Sequence, residues 1–344
     1  MNVGAMLTEQ LDRLFEKSVT RTVLVDAEAG KLPEALWAEL ENIGVTYALV
    51  PEESGGVGLS WADTVGVWQA IGFHAAPVPL GETMIGRWAL ALAGIDIPEG
   101  PLAIAEDLLQ LDAAGALHGD GIKLPWADQA GHFVAVAQGQ DGLRLCLVRR
   151  ADVVSAPAAT ISRIPCGRLS LAKVAPVAVA PLPAALGPLG LLAHLAVLRA
   201  TQMGGCLDRL LALCVDYGNT RVQFGKPLGK FQAIQHMIAT LAEQAAAARV
   251  AGAFGCRSLD KGDPEFGAAV AKIQVGQSAT AAAAIAHQVF GAMGVTDEHS
   301  LHFFTRRLWQ WRDEGESEHW WAERLGRYVV SAGSAALWPN LINW

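Results

Sequence analysis

YGNTRVQFGKPLGKFQAIQHMIA, residues 217–239, is the stretch on which the reading of this chain turns. A long helical run, with Met203, Leu207, Leu210, Leu211 and Cys214 at core spacing, ends at Tyr217-Gly218. A tight loop follows, in which Arg221, Gln223, Lys226 and Lys230 surround Gly225, Pro227 and Gly229. A second helix opens with Phe231, Gln232, Gln235 and His236 and runs to about Leu259 through Ile234, Ile238, Leu241 and Ala245. Cations and amides beside a helix N-terminus suit an anionic pyrophosphate, because unpaired backbone N–H groups and the helix dipole both favour negative charge there. The same residues also fit a plain helical hairpin whose charges are solvated.

Outward from this stretch, the chain separates into three zones. Residues 183–344 read as a helical bundle. Its third helix starts at Asp263-Pro264-Glu265, an N-cap acid with proline at the first helical position, and continues to Val289. Shorter helices are expected near His302–Trp311 and Ser317–Ser331. Residues 98–182 lose the helical period and read as a small β domain: Phe133 to Ala137, QGQDG and LRLCLV form a hairpin, and RLSLAKV and PVAVA add strands. Ala175 to Gly187 reads as a linker into the bundle. Residues 1–97 are helical again. LPEALWAELENIG puts Leu36, Trp37, Leu40 and Ile43 on one face and stops at Gly44. In the loop VPEESGGVGLSWAD, Gly55, Gly56 and Gly58 permit positive φ, and Ser60 is the expected cap of the next helix.

Composition narrows the classes. With 344 residues, 52% hydrophobic and 17% charged, the chain can bury a large core and is not a solvating, disordered protein. Lys and Arg number 26 against 34 Asp and Glu, a net charge of −8, which argues against a nucleic-acid partner. Five cysteines (Cys146, Cys166, Cys206, Cys214, Cys256) without a CxxC pair fit a reducing compartment. Val174 to Leu198 carries no charge, but Pro176, Pro181, Pro183 and Pro188 deny it a continuous membrane helix. The N-terminal MNVGAMLTEQLDRLFEK lacks the apolar core of a signal peptide, so a cytoplasmic protein without a membrane anchor is expected. Walker A, GxSxG and HExxH motifs are absent, and no GxGxxG joins a strand to a helix. His299 and His302 lack a carboxylate-rich partner helix, so no metal site is expected.

RVQFGKPLGKFQAIQHMIA resembles the RxQFGxPLxxFQxxQxxLA signature of the acyl-CoA dehydrogenase family. HQVFGAMGVTDE, residues 287–298, resembles that family's QxFGGxGYTxE segment, and VPEESGGVGLSW resembles its N-terminal loop. The three matches stand in family order. The resemblance implies a mainly α fold with a small β domain: an N-terminal helical domain, a reduced middle β domain and a C-terminal helical bundle. It implies FAD as cofactor, with Arg221, Gln223 and Phe224 covering its pyrophosphate and adenosine across a subunit interface. Gln288, Gly291 and Gly294 would pack on the same moiety from the neighbouring bundle, and Gln232 and Gln235 lie one turn into the following helix. The implied reaction is α,β-dehydrogenation of an acyl-CoA thioester, in fatty acid or steroid degradation, with electrons passed on to an electron-transfer flavoprotein.

Two departures stand out. The TEPxxGSD-type and Trp-Ile-Thr strands that hold the flavin ring in the family are missing between Pro101 and Pro183. The chain is thus similar to the short subunits of heteromeric, steroid-type acyl-CoA dehydrogenases, which implies a homo- or hetero-oligomer with a second acyl-CoA dehydrogenase chain. The family's base is a glutamate in a YEGT segment. Glu314-Gly315 echoes it, one residue short in its spacing from Arg306 and with Asp313 in place of the tyrosine, so Glu314 is the candidate base. Trp309, Trp311, Trp320 and Trp321 either wall an apolar pocket there or simply pack the helix ends. Besides an active dehydrogenase, the residues admit a non-catalytic partner subunit and an acyl-CoA-binding protein without flavin.

Overall fold

The computed structural model describes residues 2–336 and 338. Five helices come first: α1 (Val3–Ser18), α2 (Arg21–Glu28), α3 (Glu34–Ile43), α4 (Val65–His74) and α5 (Leu80–Leu92). Leu7, Leu11 and Phe15 recur at i, i+4 and form the buried face of α1, which Asn2 caps by accepting from the Ala5 N–H at 2.9 Å. Helix α3 buries Leu36, Trp37 and Leu40 and ends at Gly44, whose φ is +77°. Ser60 caps the next helical segment, which begins as a 3-10 turn, Ala62–Thr64, running directly into α4. The Ser60 hydroxyl accepts from the Asp63 N–H at 3.1 Å. The Trp61 and Ala62 N–H groups are taken by the distant Asp260 carboxylate at 2.8 and 2.9 Å.

Eight strands follow: β1 (Leu102–Ile104), β2 (Leu109–Leu111), β3 (Leu117–Pro125), β4 (His132–Gly139), β5 (Gly142–Arg149), β6 (Val154–Pro157), β7 (Cys166–Val174) and β8 (Ala178–Pro181). They form one sheet in the order β6-β7-β3-β2-β4-β5-β8, with β1 beside β4. The expected hairpin is β4–β5, closed between Gly139 and Gly142. The expected linker from Ala175 contains β8, paired with β5 from Arg144 to Leu147, so it first completes the sheet edge. Alternation along β7 buries Gly167, Leu169 and Leu171 over the core beneath the sheet.

The remaining helices are α6 (Leu191–Thr220), α7 (Gln232–Asp260), α8 (Pro264–Phe290), α9 (Leu301–Asp313) and α10 (Glu318–Ala332). Asp263 caps α8 as expected, accepting from the Phe266 N–H at 3.2 Å with Pro264 in the first turn. Helix α6 is the spine. It packs on α4, α7, α8 and α9, with Cys206 and Cys214 fully buried. Among the described residues, no helix is long and apolar enough to cross a membrane.

Candidate functional site

At one end of the bundle, α6 stops at Thr220 and the chain turns through a two-stranded ribbon, Val222–Gln223 paired with Lys226–Pro227. Its tip is Phe224-Gly225, with φ of +53° and +81°, the paired positive values that a two-residue hairpin demands. The tip leaves the Phe224 side chain 91% exposed. Lys226 is folded back over the Phe231 ring at 4.3 Å, and Gln235 donates to the Gly229 carbonyl at 2.8 Å, so both stiffen the turn. Arg221 is exposed, and its side chain has no hydrogen-bond or ion-pair partner among the described residues. Gln223 donates to the neighbouring Val222 carbonyl.

The end of α8 lies alongside. Tyr217 stacks on Phe290 with centroids 4.2 Å apart, which ties the end of α6 to the end of α8. Gln288 is exposed on the last turn of α8, and Gln232 is exposed on the first turn of α7. Gly291 has φ +57° and open space where a side chain would stand. Gly294 differs from the expected role. It is buried, and a Cβ there would come within 2.9 Å of both Phe290 and Leu301, so its small size serves packing within the chain.

Some residues that matter most are not in these motifs. The turn after α9 carries Glu314-Gly315, and the Glu314 carboxylate is directed inward. Its Oε2 lies 2.6 Å from Arg199 Nε, and its Oε1 accepts from Gln310 Nε2 at 2.9 Å. Beside this ion pair, the Arg199 guanidinium, buried on α6, donates to Glu82 Oε1 at 2.6 Å and to Gln202 Oε1 at 2.9 Å. Burial alone would lower the Arg199 pKa, but the Glu314 and Glu82 carboxylates more than offset it and hold the proton firmly. The space left among Glu82, Arg199, Gln202 and Glu314 is about 20 Å³.

The turn itself is fixed from several sides. Lys272, fully buried on α8, donates to the Trp311, Arg312 and Glu314 carbonyls at 2.8, 2.9 and 2.6 Å. Those are carbonyls at the end of α9, which have no partner within the helix. Burial lowers the Lys272 pKa to about 8 against the pull of Glu106 and Glu314. Trp321, fully buried, donates from Nε1 to the Gly315 carbonyl at 2.7 Å. Gly315, at φ +67°, lies so close to α6 that a Cβ would stand 2.8 Å from Ala196 Cα. The dense tryptophans thus pack: Trp311 and Trp321 are buried, while Trp309 is half-open against His287.

The acid that does face open space is Glu106, just after β1. It accepts from the Gly315 N–H at 3.0 Å and lines a cleft of about 570 Å³ with Asp107, Lys123, Leu189, Leu192 and Glu316. Burial and the neighbouring Glu314 charge raise its pKa to about 7, opposed by the Gly315 N–H, Arg199 and Lys272.

The family described as "Acyl-CoA dehydrogenase, N-terminal domain" matches residues 4–96, and "Acyl-CoA dehydrogenase, C-terminal domain" matches residues 189–311. A Mycobacterium tuberculosis protein named acyl-CoA dehydrogenase IpdE2 is 32% identical over 278 residues, which cover 80% of this chain and 80% of that protein. The Mycolicibacterium smegmatis protein of the same name is 29% identical over 306 residues, covering 88% of this chain and 91% of its own. Among solved structures, a Tcur3481-Tcur3483 steroid ACAD variant superposes with a TM-score of 0.87 at 24% identity, covering 96% of this chain and 98% of that one. The ChsE4-ChsE5 complex from Mycobacterium tuberculosis gives 0.82 at 22% identity, covering 95% and 97%. At such identities the structural likeness speaks for the fold.

Proposed function

This chain belongs to the acyl-CoA dehydrogenase family, and from that premise we propose that it completes the FAD site of a heteromeric dehydrogenase together with a second acyl-CoA dehydrogenase chain. The assembly would remove hydrogen from Cα and Cβ of an acyl-CoA thioester and deliver electrons to an electron-transfer flavoprotein in the cytoplasm. A steroid or other lipid acyl group is the favoured substrate class, in keeping with the name of the steroid enzyme whose fold it shares.

The observation that carries this reading is the ribbon at residues 221–227. An unpaired guanidinium and an almost fully exposed phenylalanine stand on a turn stiffened by its own contacts, beside the open Gly291. Such groups fit the diphosphate and adenosine arm of FAD. Arg221 would neutralise the diphosphate, Phe224 would cover the adenosine side from across the interface, and Gln223, Gln232 and Gln288 offer amides at the rim. The interior beside Glu314 does not fit the tricyclic ring, since only about 20 Å³ is free there. No step is therefore assigned to a flavin ring within this chain. FAD, when bound, supplies the hydride acceptor; this chain's part is to hold its phosphate arm and exclude water from the joint.

The test is Arg221→Ala in the complex co-purified with its partner. Losing a charge-assisted contact of about 1.5–3 kcal/mol weakens FAD retention roughly ten- to a hundredfold. Unchanged FAD content in that variant refutes the assignment.

A further inference from the structure

The interior around Glu314 is built to stay closed, and the closure involves elements from all three parts of the chain. Glu82 comes from α5, Arg199 and Gln202 from α6, and Gln310 and Glu314 from α9 and the turn after it. Over them lies a strap, residues 158–165, between β6 and β7. Ser162 of the strap is buried, the Ile161 N–H donates to Gln310 Oε1 at 3.0 Å, and Arg163 reaches Glu28 at 3.8 Å. Glu28 is also bound by Arg306 of α9, which ties the strap's anchor to the bundle. One amide, Gln310, therefore holds the strap by its oxygen and Glu314 by its nitrogen.

We propose that the Arg199 guanidinium, held between Glu82 and Glu314 beneath this strap, is a permanent occupant that bars an acyl chain from this chain's interior and removes Glu314 from service as a base. The inference rests on the reading of this chain as the flavin-completing subunit and locates the chemistry in the partner. The geometry is decisive on two counts. A base must face the substrate's α-carbon, yet both Glu314 oxygens are engaged by Arg199 and Gln310 and face a space of about 20 Å³. That space holds about one water and no alkyl chain. A buried guanidinium cannot leave without stranding two carboxylates, so substrate binding cannot displace it. Lys272 and Trp321 hold the backbone of the turn, which stops Glu314 from swinging into the Glu106 cleft.

The test compares octanoyl-CoA with free CoA as probes on the purified full chain, read by titration calorimetry. Wild type is expected to bind the two within about threefold, because the closed interior beside Glu314 takes no acyl group; RT ln 3 is well under the transfer free energy of one buried chain. The charge-balanced Glu82→Leu/Arg199→Leu variant is expected to gain at least tenfold preference for octanoyl-CoA. A tenfold preference in wild type, or none in the folded double variant, overturns the proposal. Should the double variant fail to fold, Glu314→Gln in the complex decides. Substrate-driven flavin reduction is expected to stay within about threefold of wild type, and a loss of about a hundredfold, the scale of a missing general base, overturns it. Flavin content, read from absorbance in the same preparations, tests the Arg221 reading separately.

Discussion

Lys272→Met is the sharpest probe of how the site turn is held. Methionine nearly matches the aliphatic length of lysine, so little cavity is opened and the loss falls on the ammonium alone. Three carbonyls now accept from that ammonium at 2.8, 2.9 and 2.6 Å, all at the end of α9 and the turn beyond it. Each becomes a buried acceptor without a donor, at about 1–2 kcal/mol apiece, so a loss of about 3–5 kcal/mol is expected, the range for stripping one partner from a buried charged contact. The assay is guanidinium-induced unfolding followed by tryptophan fluorescence, compared at unchanged m-value. The pH dependence adds a sign. Burial depresses the Lys272 pKa from 10.5 to about 8, so between those values the unfolded chain binds more protons and folding gains as pH rises. The difference between wild type and Lys272→Met should therefore widen from pH 8 upward. A variant within about 1 kcal/mol of wild type at pH 7 refutes the capping role, given those expected costs.

Three other outcomes follow from the same geometry. Gly315→Ala combines φ +67° with a Cβ 2.8 Å from the Ala196 backbone, so it should cost about 3 kcal/mol and show as a lowered Tm; a neutral change would mean the turn yields. His194, buried against the Trp61 and Trp88 rings, has its pKa lowered by burial to about 4. The unfolded chain takes a proton there between pH 6.5 and 4 while the folded chain does not, so about 3 kcal/mol of stability is lost across that window. His194→Phe should flatten that acid slope, measured by Tm against pH. Glu106 is the opposite case: with its pKa raised to about 7, the folded chain keeps a proton that the unfolded chain releases from about pH 4.5, so stability falls as pH rises to 7. Glu106→Gln should remove that decline, and an unaltered slope would place the titration elsewhere.

Much of the fold was legible because the helices of this chain are long and strongly periodic. The Asp263-Pro264 start, the Gly44 stop and the β4–β5 hairpin depend on local chemistry that neighbours in sequence supply. Strands β1, β2, β3 and β6 escaped notice because β1, β2 and β6 are three or four residues long and β3 reads LHGDGIKLP, broken by two glycines and a proline. The turn after α6 was legible as a tight loop, but its pairing of Val222–Gln223 with Lys226–Pro227 was not read from the sequence. Nor was the interior of the site, because its polar groups are spaced across the chain: Glu82, Arg199, Gln202, Lys272 and Glu314 meet only through packing of α5, α6, α8 and α9. A signal did exist. Arg199 ends the charge-free run from Val174 to Leu198, and Lys272 is the one cation between Glu265 and Arg306 apart from the histidines. A solitary cation in an apolar helix must find buried partners or destabilise the fold, so each pointed to carboxylates or carbonyls elsewhere.

That principle also explains how the interior of this chain is filled. Between the helices of this chain an ion-pair cluster of Glu82, Arg199 and Glu314 stands where apolar side chains would otherwise pack. Filling the space with Arg199 alone would leave an uncompensated charge, so Glu82 and Glu314 are needed together, and Gln202 and Gln310 add amide hydrogen bonds to Arg199 and Glu314. The arrangement is mutually dependent in the way that a folded core is. Removing Arg199 alone strands two carboxylates, whereas removing Arg199 and Glu82 together leaves Glu314 with its Gln310 bond. Non-additivity is therefore the signature to expect: Arg199→Leu should be destabilised by about 3–5 kcal/mol, and adding Glu82→Leu should recover a substantial part of that loss. Strictly additive effects in that double-mutant cycle would show that Arg199 and Glu82 do not act as one unit, and the closed interior would then need another cause.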